Sequence, residues 1–136
     1  MSALSITAAN VVPGTDADIA HGIAGETITA GQPVYRSSTD GKWYKADSNS
    51  GTAEARVPLG IALCGSSASQ PVSVQKSGTI TIGATVTAGT VYYLGDTAGG
   101  IIPVADLTTG DYPCTIGIAV SAAALKLGFN SAGVAL

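Results

Sequence analysis

Apolar and polar positions alternate along most of this chain with a period of two. In Val72-Ser73-Val74-Gln75 and Thr79-Ile80-Thr81-Ile82 the branched apolar residues fall on one side and the hydroxyl or amide residues on the other, as in half-buried strands. Leu125-Lys126-Leu127 repeats the pattern. Two other segments, Gly60-Ile61-Ala62-Leu63-Cys64 and Thr115-Ile116-Gly117-Ile118-Ala119-Val120, are more continuously apolar and read as strands buried on both faces at the centre of the core. A hairpin is expected over residues 34–46, with Val34-Tyr35-Arg36 and Lys42-Trp43-Tyr44-Lys45 flanking a turn that contains Asp40-Gly41, a pair suited to positive φ.

Glycine and proline interrupt the chain so often that only residues 1–12 and 118–127 run ten or more positions without either. An interior glycine costs a helix about 1 kcal/mol relative to alanine and a proline about 3 kcal/mol, so these breaks select short extended segments joined by turns. Ala122-Ala123-Ala124 has high helix propensity but is too short to form a helix alone. The expected fold is therefore all-β, a compact small barrel or sandwich.

An internal echo adds organisation. Ile28-Thr29-Ala30-Gly31-Gln32-Pro33-Val34-Tyr35 returns as Val86-Thr87-Ala88-Gly89-Thr90-Val91-Tyr92-Tyr93, Ala46-Asp47 as Ala105-Asp106, and Gly60-Ile61-Ala62 as Gly117-Ile118-Ala119. The implied pseudo-repeats cover about 26–78 and 84–134. Each is too small to be a domain, so the reading is one β domain over 26–136 with two pseudo-repeated halves sharing a core. Residues 1–25 lie outside the echo. They read as an extended N-terminal arm able to add a strand to another chain's sheet edge, or equally as a frayed terminus or a first strand of the chain's own sheet.

Composition narrows the function classes. Ala, Gly, Thr and Ser make up half of the 136 residues, and only 11% are charged. Six basic residues against nine acidic ones, for a net charge of −3, cannot form the cationic stripe that holds nucleic-acid phosphates. The low charge and a mean hydropathy of +0.37 argue for a folded chain. The longest apolar run, residues 116–125, is far short of the ~20 residues of a membrane helix, and the absence of Lys or Arg before Arg36 leaves no basic region for a secretory signal.

Candidate chemistry is sparse. His21 is the only histidine, and Asp16, Asp18 and His21 fit no zinc or calcium spacing, so no metal is expected. Cys64 and Cys114 read as buried small hydrophobes. There is no Gly-x-Ser-x-Gly elbow or phosphate loop, and most of the aspartates sit beside Gly, Thr or Ser in evident turns. Neither an enzyme nor a cofactor is expected. Tyr35, Trp43 and Tyr44 offer either a stacking platform for a sugar or ordinary cross-strand packing.

The order Ile28-Thr29-Ala30-Gly31-Gln32-Pro33-Val34-Tyr35, Gly41-Lys42-Trp43-Tyr44-Lys45-Ala46-Asp47, Pro58-Leu59-Gly60-Ile61-Ala62-Leu63 and Gln70-Pro71-Val72-Ser73-Val74-Gln75 resembles the small head decoration, or capsid cement, proteins of tailed bacteriophages. The likeness covers about residues 26–134. It implies a small β protein, commonly trimeric, made in the host cytoplasm and seated on the outer capsid surface of the virion, where it reinforces contacts between major capsid protein subunits. It carries no catalytic residues. On that resemblance a homo-oligomer is expected, a trimer ahead of a dimer, with Leu4, Ile6, Val11 and Val12 of the arm as capsid-contact residues. The alternative expectation is a phage tail or fibre β module that binds a host surface glycan through Tyr35, Trp43 and Tyr44.

Overall fold

The computed structural model describes residues 3–136, and the fold is all-β. In chain order the strands are β1 (Val11–Pro13), β2 (Asp18–Ile23), β3 (Pro33–Arg36), β4 (Trp43–Lys45), β5 (Gly60–Ala62), β6 (Pro71–Ile82), β7 (Val91–Leu94), β8 (Ile101–Pro103), β9 (Cys114–Ala119) and β10 (Ala124–Ser131). Short 3-10 segments occupy Ala8–Asn10, Ala53–Arg56 and Val104–Asp106. The strands form one curled sheet, a half-barrel, in the order β4-β3-β5-β6-β10-β9-β7-β8 with every ladder antiparallel. Both β1 and β2 pair with β6.

Strand β6 exchanges partners half-way along. Residues 71–77 lie between β5 and β2, and residues 78–82 between β10 and β1. The changeover sits at Gly78, where φ is +90° and any side chain would run into the backbone carbonyl of Asp16. Around it, buried Gln75 donates from Nε2 to the carbonyls of Ser77 (3.0 Å) and Thr79 (2.9 Å), and Gly14 N–H donates to Thr79 O at 2.8 Å. These bonds satisfy backbone groups that the bend would otherwise leave unpaired.

The first half curls back on itself. After β2 the chain meets β4 through a parallel bridge between Ala24 and Trp43, and Gly25 N–H donates to Trp43 O at 2.8 Å. Ala24, Ile28, Val34, Trp43, Ala62, Val72 and Val74 fill the resulting interior. The second half encloses a larger core that includes Ile80, Ile82, Leu94, Ile101, Ile116 and Leu125. Ala30, Ala46 and Ile61 from the first half complete this second core, with Tyr35 and Leu63 packed against it. The second core is thus built from residues on both sides of β6.

The two halves bond alike at their turns. Before β3, Gly31 (φ +92°) donates to Ala62 O at 2.8 Å, and Ala62 N–H returns to Gln32 O at 2.9 Å. Before β7, Gly89 (φ +86°) donates to Ala119 O at 2.8 Å, and Ala119 N–H returns to Thr90 O at 3.0 Å. In both places the turn needs a positive φ, which glycine adopts without steric cost.

Two sequence readings are narrowed. First, of the alternatives for residues 1–25, the described part takes that of a strand of the chain's own sheet and not of an extended arm: β1 and β2 are strands of the sheet, Leu4 N–H donates to Ile101 O and Thr7 N–H to Gly83 O, both at 2.8 Å. Met1 and Ser2 of that segment lie outside the described residues. Secondly, the expected barrel or sandwich is a single curled sheet whose first half closes through one bridge. Ala122 and Ala123, in a run too short for a helix, form the turn into β10, held by Ser121 Oγ accepting from Ala123 N–H (3.2 Å) and Ala124 N–H (3.1 Å). A serine hydroxyl bonded in this way competes with helix formation.

Candidate functional site

The hairpin aromatics divide between two faces. Tyr35 and Tyr44 are direct cross-strand partners, and their rings stack at 6.0 Å between centroids with 29° between planes. Because side chains alternate along a strand, Trp43 points the other way, into the first core, where it is 5% exposed. Of the two readings of these rings, platform or cross-strand packing, Trp43 belongs to core packing and the surface keeps a half-exposed, cross-strand tyrosine pair. Tyr44 donates its hydroxyl to Asp40 Oδ2 at 2.6 Å, which holds the Asp40 carboxyl below its ordinary range and the Tyr44 phenol above its own. Partial burial, helped by Glu54, Glu26 and Asp40, pushes the Tyr35 phenol up as well.

The four predicted capsid-contact residues also divide. Val11 is buried in the second core, Leu4 and Ile6 are half-buried against it, and Val12 is 52% exposed. Three of the four spend their apolar surface inside their own chain, which is the physical reason that no free arm is seen over the described residues.

Reactive groups stay apart. Nδ1 of His21 lies 3.0 Å from Ser73 Oγ on an exposed strand face. The Asp16 carboxylate instead accepts Thr79 N–H at 2.9 Å. Among the described residues, no three His, Cys, Asp or Glu side chains come together as metal ligands. Cys64 and Cys114 are both free thiols; burial pushes the Cys114 thiol up to about 11. At the junction of the halves, burial raises the Asp47 carboxyl, with Asp96 and Asp111 adding repulsion.

An apolar groove on the sheet surface lies where the sequence indicated burial. On the outer face of β7, β9 and β10, a groove of about 510 Å³ runs between Val91, Tyr93, Ile118, Val120 and Lys126, over Gly117 and Gly128. The apolar run at 115–120 suggested burial on both faces, yet Ile118 is 49% and Val120 54% exposed. A usable signal was Lys126: it pairs with Ile118 across β9 and β10, and a lysine in an alternating strand marks the solvent side.

No family model and no curated protein matches this chain.

Two surface features stand out among the described residues. The hairpin offers stacked rings with carboxylates beside them, and the β7-β9-β10 face offers aliphatic side chains with one ammonium. Open apolar sheet faces of this kind are characteristic of protein contact.

Proposed function

We propose that this protein is a structural component of a virion, decorating the outer surface of a tailed-phage head and reinforcing contacts between major capsid protein subunits as a homo-oligomer. The observation that carries the reading is a β body with few charges whose exposed sheet face is apolar. Such a body can add modest interfaces, of the order of 800 Å² per partner, at every lattice position. Binding that occurs only on the assembled lattice stabilises that lattice by mass action, without chemistry. The pseudo-repeat belongs to the same reading: we take the two halves as copies of one unit, on the strength of the matched Gly31–Ala62 and Gly89–Ala119 bonds.

The test is attachment and reinforcement. Heads stripped of the protein are expected to lose resistance to heat and to internal DNA pressure, and to regain it on adding the protein back. Attachment is expected to change little with salt, because few charged contacts are available to be screened. Unchanged head resistance after stripping, or release by salt alone, overturns the reading. The alternative, a tail or fibre module binding a glycan, draws on the Tyr35–Tyr44 stack; glycan binding lost in Tyr44→Ala, with the protein located on tails, would replace the capsid reading.

A further inference from the structure

The ring of strands in the first half, β4-β3-β5-β6-β2 closed by the Ala24–Trp43 bridge, has an open mouth that holds a cavity of about 220 Å³. Strand alternation explains its lining. Arg36 lies two positions beyond Val34 in β3 and Lys76 two beyond Val74 in β6, so both take the face of those core valines and end at the rim, where they are exposed. Ala20 and Gly22 of β2 take the face of buried Ala24 in the same way, and Leu59 stands at the entrance, 44% exposed. Trp43 is the most deeply buried residue of the lining, 5% exposed. Its Nε1 edge lies over Gly22, where a Cβ would collide with it. The indole N–H has no hydrogen-bond partner among the described residues, and it is not shut off from solvent.

An indole nitrogen only donates, and a donor on so buried a side chain is ordinarily paired. Two of the chain's six basic side chains share the cavity with this unpaired donor. Arg36 Nε donates to Gly41 O at 3.0 Å, which fixes the guanidinium at the rim and leaves its Nη groups for a ligand. None of the described lining residues is acidic. The nearby Asp40 carboxylate is taken up by the Tyr44 hydroxyl (2.6 Å) and Lys42 N–H (3.0 Å), and His21, on the opposite strand face, is turned to Ser73 Oγ. We infer that this mouth binds an organic carboxylate of a few carbon atoms: its oxygens accept from Trp43 Nε1 and Arg36 and face Lys76, and its carbon body lies against Ala20, Leu59 and the indole. Those apolar walls decide for a carboxylate over a bare oxyanion, since phosphate or sulfate has no carbon to cover them. The site goes beyond the function proposed above and does not depend on capsid attachment.

Trp43 is the only tryptophan, so its Nε1–H gives a single indole signal in a proton–nitrogen NMR spectrum of the full chain and reads the site directly. Titration with butyrate is expected to shift that signal saturably, and added salt to weaken the binding. Arg36→Gln is expected to raise Kd about tenfold, the scale of one charge-assisted hydrogen bond. Lys76→Gln, at an exposed rim position, is expected to raise it about threefold with unchanged circular dichroism, which keeps the test open if Arg36→Gln loosens the hairpin turn. Glucuronate, with glucose as its uncharged control, separates the sources of the carboxylate. Tighter binding of glucuronate than of butyrate assigns the site to an acidic sugar, the reverse assigns it to a short aliphatic acid, and either supports the inference. An indole signal that neither acid moves, an equal response to inorganic phosphate or to glucose, or a Kd unchanged in both folded variants overturns it.

Discussion

The Asp16 carboxylate accepts the backbone N–H of Thr79 at 2.9 Å across sixty-three positions of sequence, one residue beyond the point where β6 changes partners. This bond holds the loop between β1 and β2 against the bend. It also holds the Asp16 carboxyl below 3.8, chiefly through that N–H and with help from Lys126. A carboxyl whose folded pKa is depressed contributes stability that is complete above its ordinary range and is lost as pH falls through the folded value. Asp16→Asn is therefore expected to lower the thermal midpoint at neutral pH, with the gap to wild type closing in strong acid. Midpoints by circular dichroism across the acid range check this.

Gly78 makes the same bend from the other side. Its φ of +90° and its closeness to the Asp16 carbonyl leave no room for a Cβ. Gly78→Ala is expected to cost about 1–3 kcal/mol or more, from backbone strain plus displacement of the loop. Denaturant unfolding measures it, and a cost no larger than at an exposed strand glycine such as Gly128 would show that β6 can bend elsewhere.

Ile61 and Ile118 test how the halves meet. Ile61 is fully buried where the first half seals the second core, so Ile61→Ala is expected to destabilise the fold by about 2–5 kcal/mol through lost packing and a residual cavity. Ile118→Ala, at a half-exposed position, is expected to stay within about 0.5 kcal/mol of wild type. Equal costs would contradict the difference in burial between Ile61 and Ile118.

Trp43 and Tyr44 are neighbours with different work. Trp43→Ala empties part of the first core and is expected to cost about 3–5 kcal/mol, so loss of any binding in that variant reports unfolding and not contact. Tyr44→Phe removes only the hydroxyl bond to Asp40 and is expected to leave the fold intact. Side-by-side unfolding curves separate the two.

Local features were legible in the sequence where neighbours along the chain decide them. The hairpin at 34–46 forms between β3 and β4 with Gly41 at φ +71°, because Asp40-Gly41 supplies its turn chemistry within a few residues. The alternation at 125–127 puts Leu125 and Leu127 inside and Lys126 outside. What could not be read depends on distant contacts. Ile61 and Ile118 stand in near-identical phrases, and only the docking of one half on the other decides that the first is buried and the second bare. The side taken by Trp43 follows from the bridge to Ala24, and the placement of Leu4 and Ile6 from backbone bonds to Ile101 and Gly83 and packing on the second core. Period and propensity carry no record of such long-range choices. The candidate site depends on this most, since residue type alone does not say which face of the sheet Tyr35, Trp43 or Val11 takes.

Asp47 gives the opposite pH signature to Asp16. It sits where the first half meets the loops carrying Asp96 and Asp111, and Ser48 beside it is fully buried, bonded through N–H to Gly95 O (3.0 Å) and through its carbonyl to Tyr112 N–H (2.9 Å). Burial disfavours the charged carboxylate and the two neighbouring aspartates repel it, so its folded pKa lies above 3.8. At neutral pH the group is ionised both folded and unfolded, and the folded state bears the strain. As pH falls through the raised value the folded chain takes up the proton first and gains stability, and the gain is complete below the unfolded value. Asp47→Asn removes the charge while keeping a carbonyl oxygen to accept Asn49 N–H, the bond that Asp47 Oδ1 makes at 3.2 Å. The variant is expected to melt above wild type at neutral pH and to converge with it in acid. A variant that melts lower at neutral pH would mean that the carboxylate is favourably paired in the folded state.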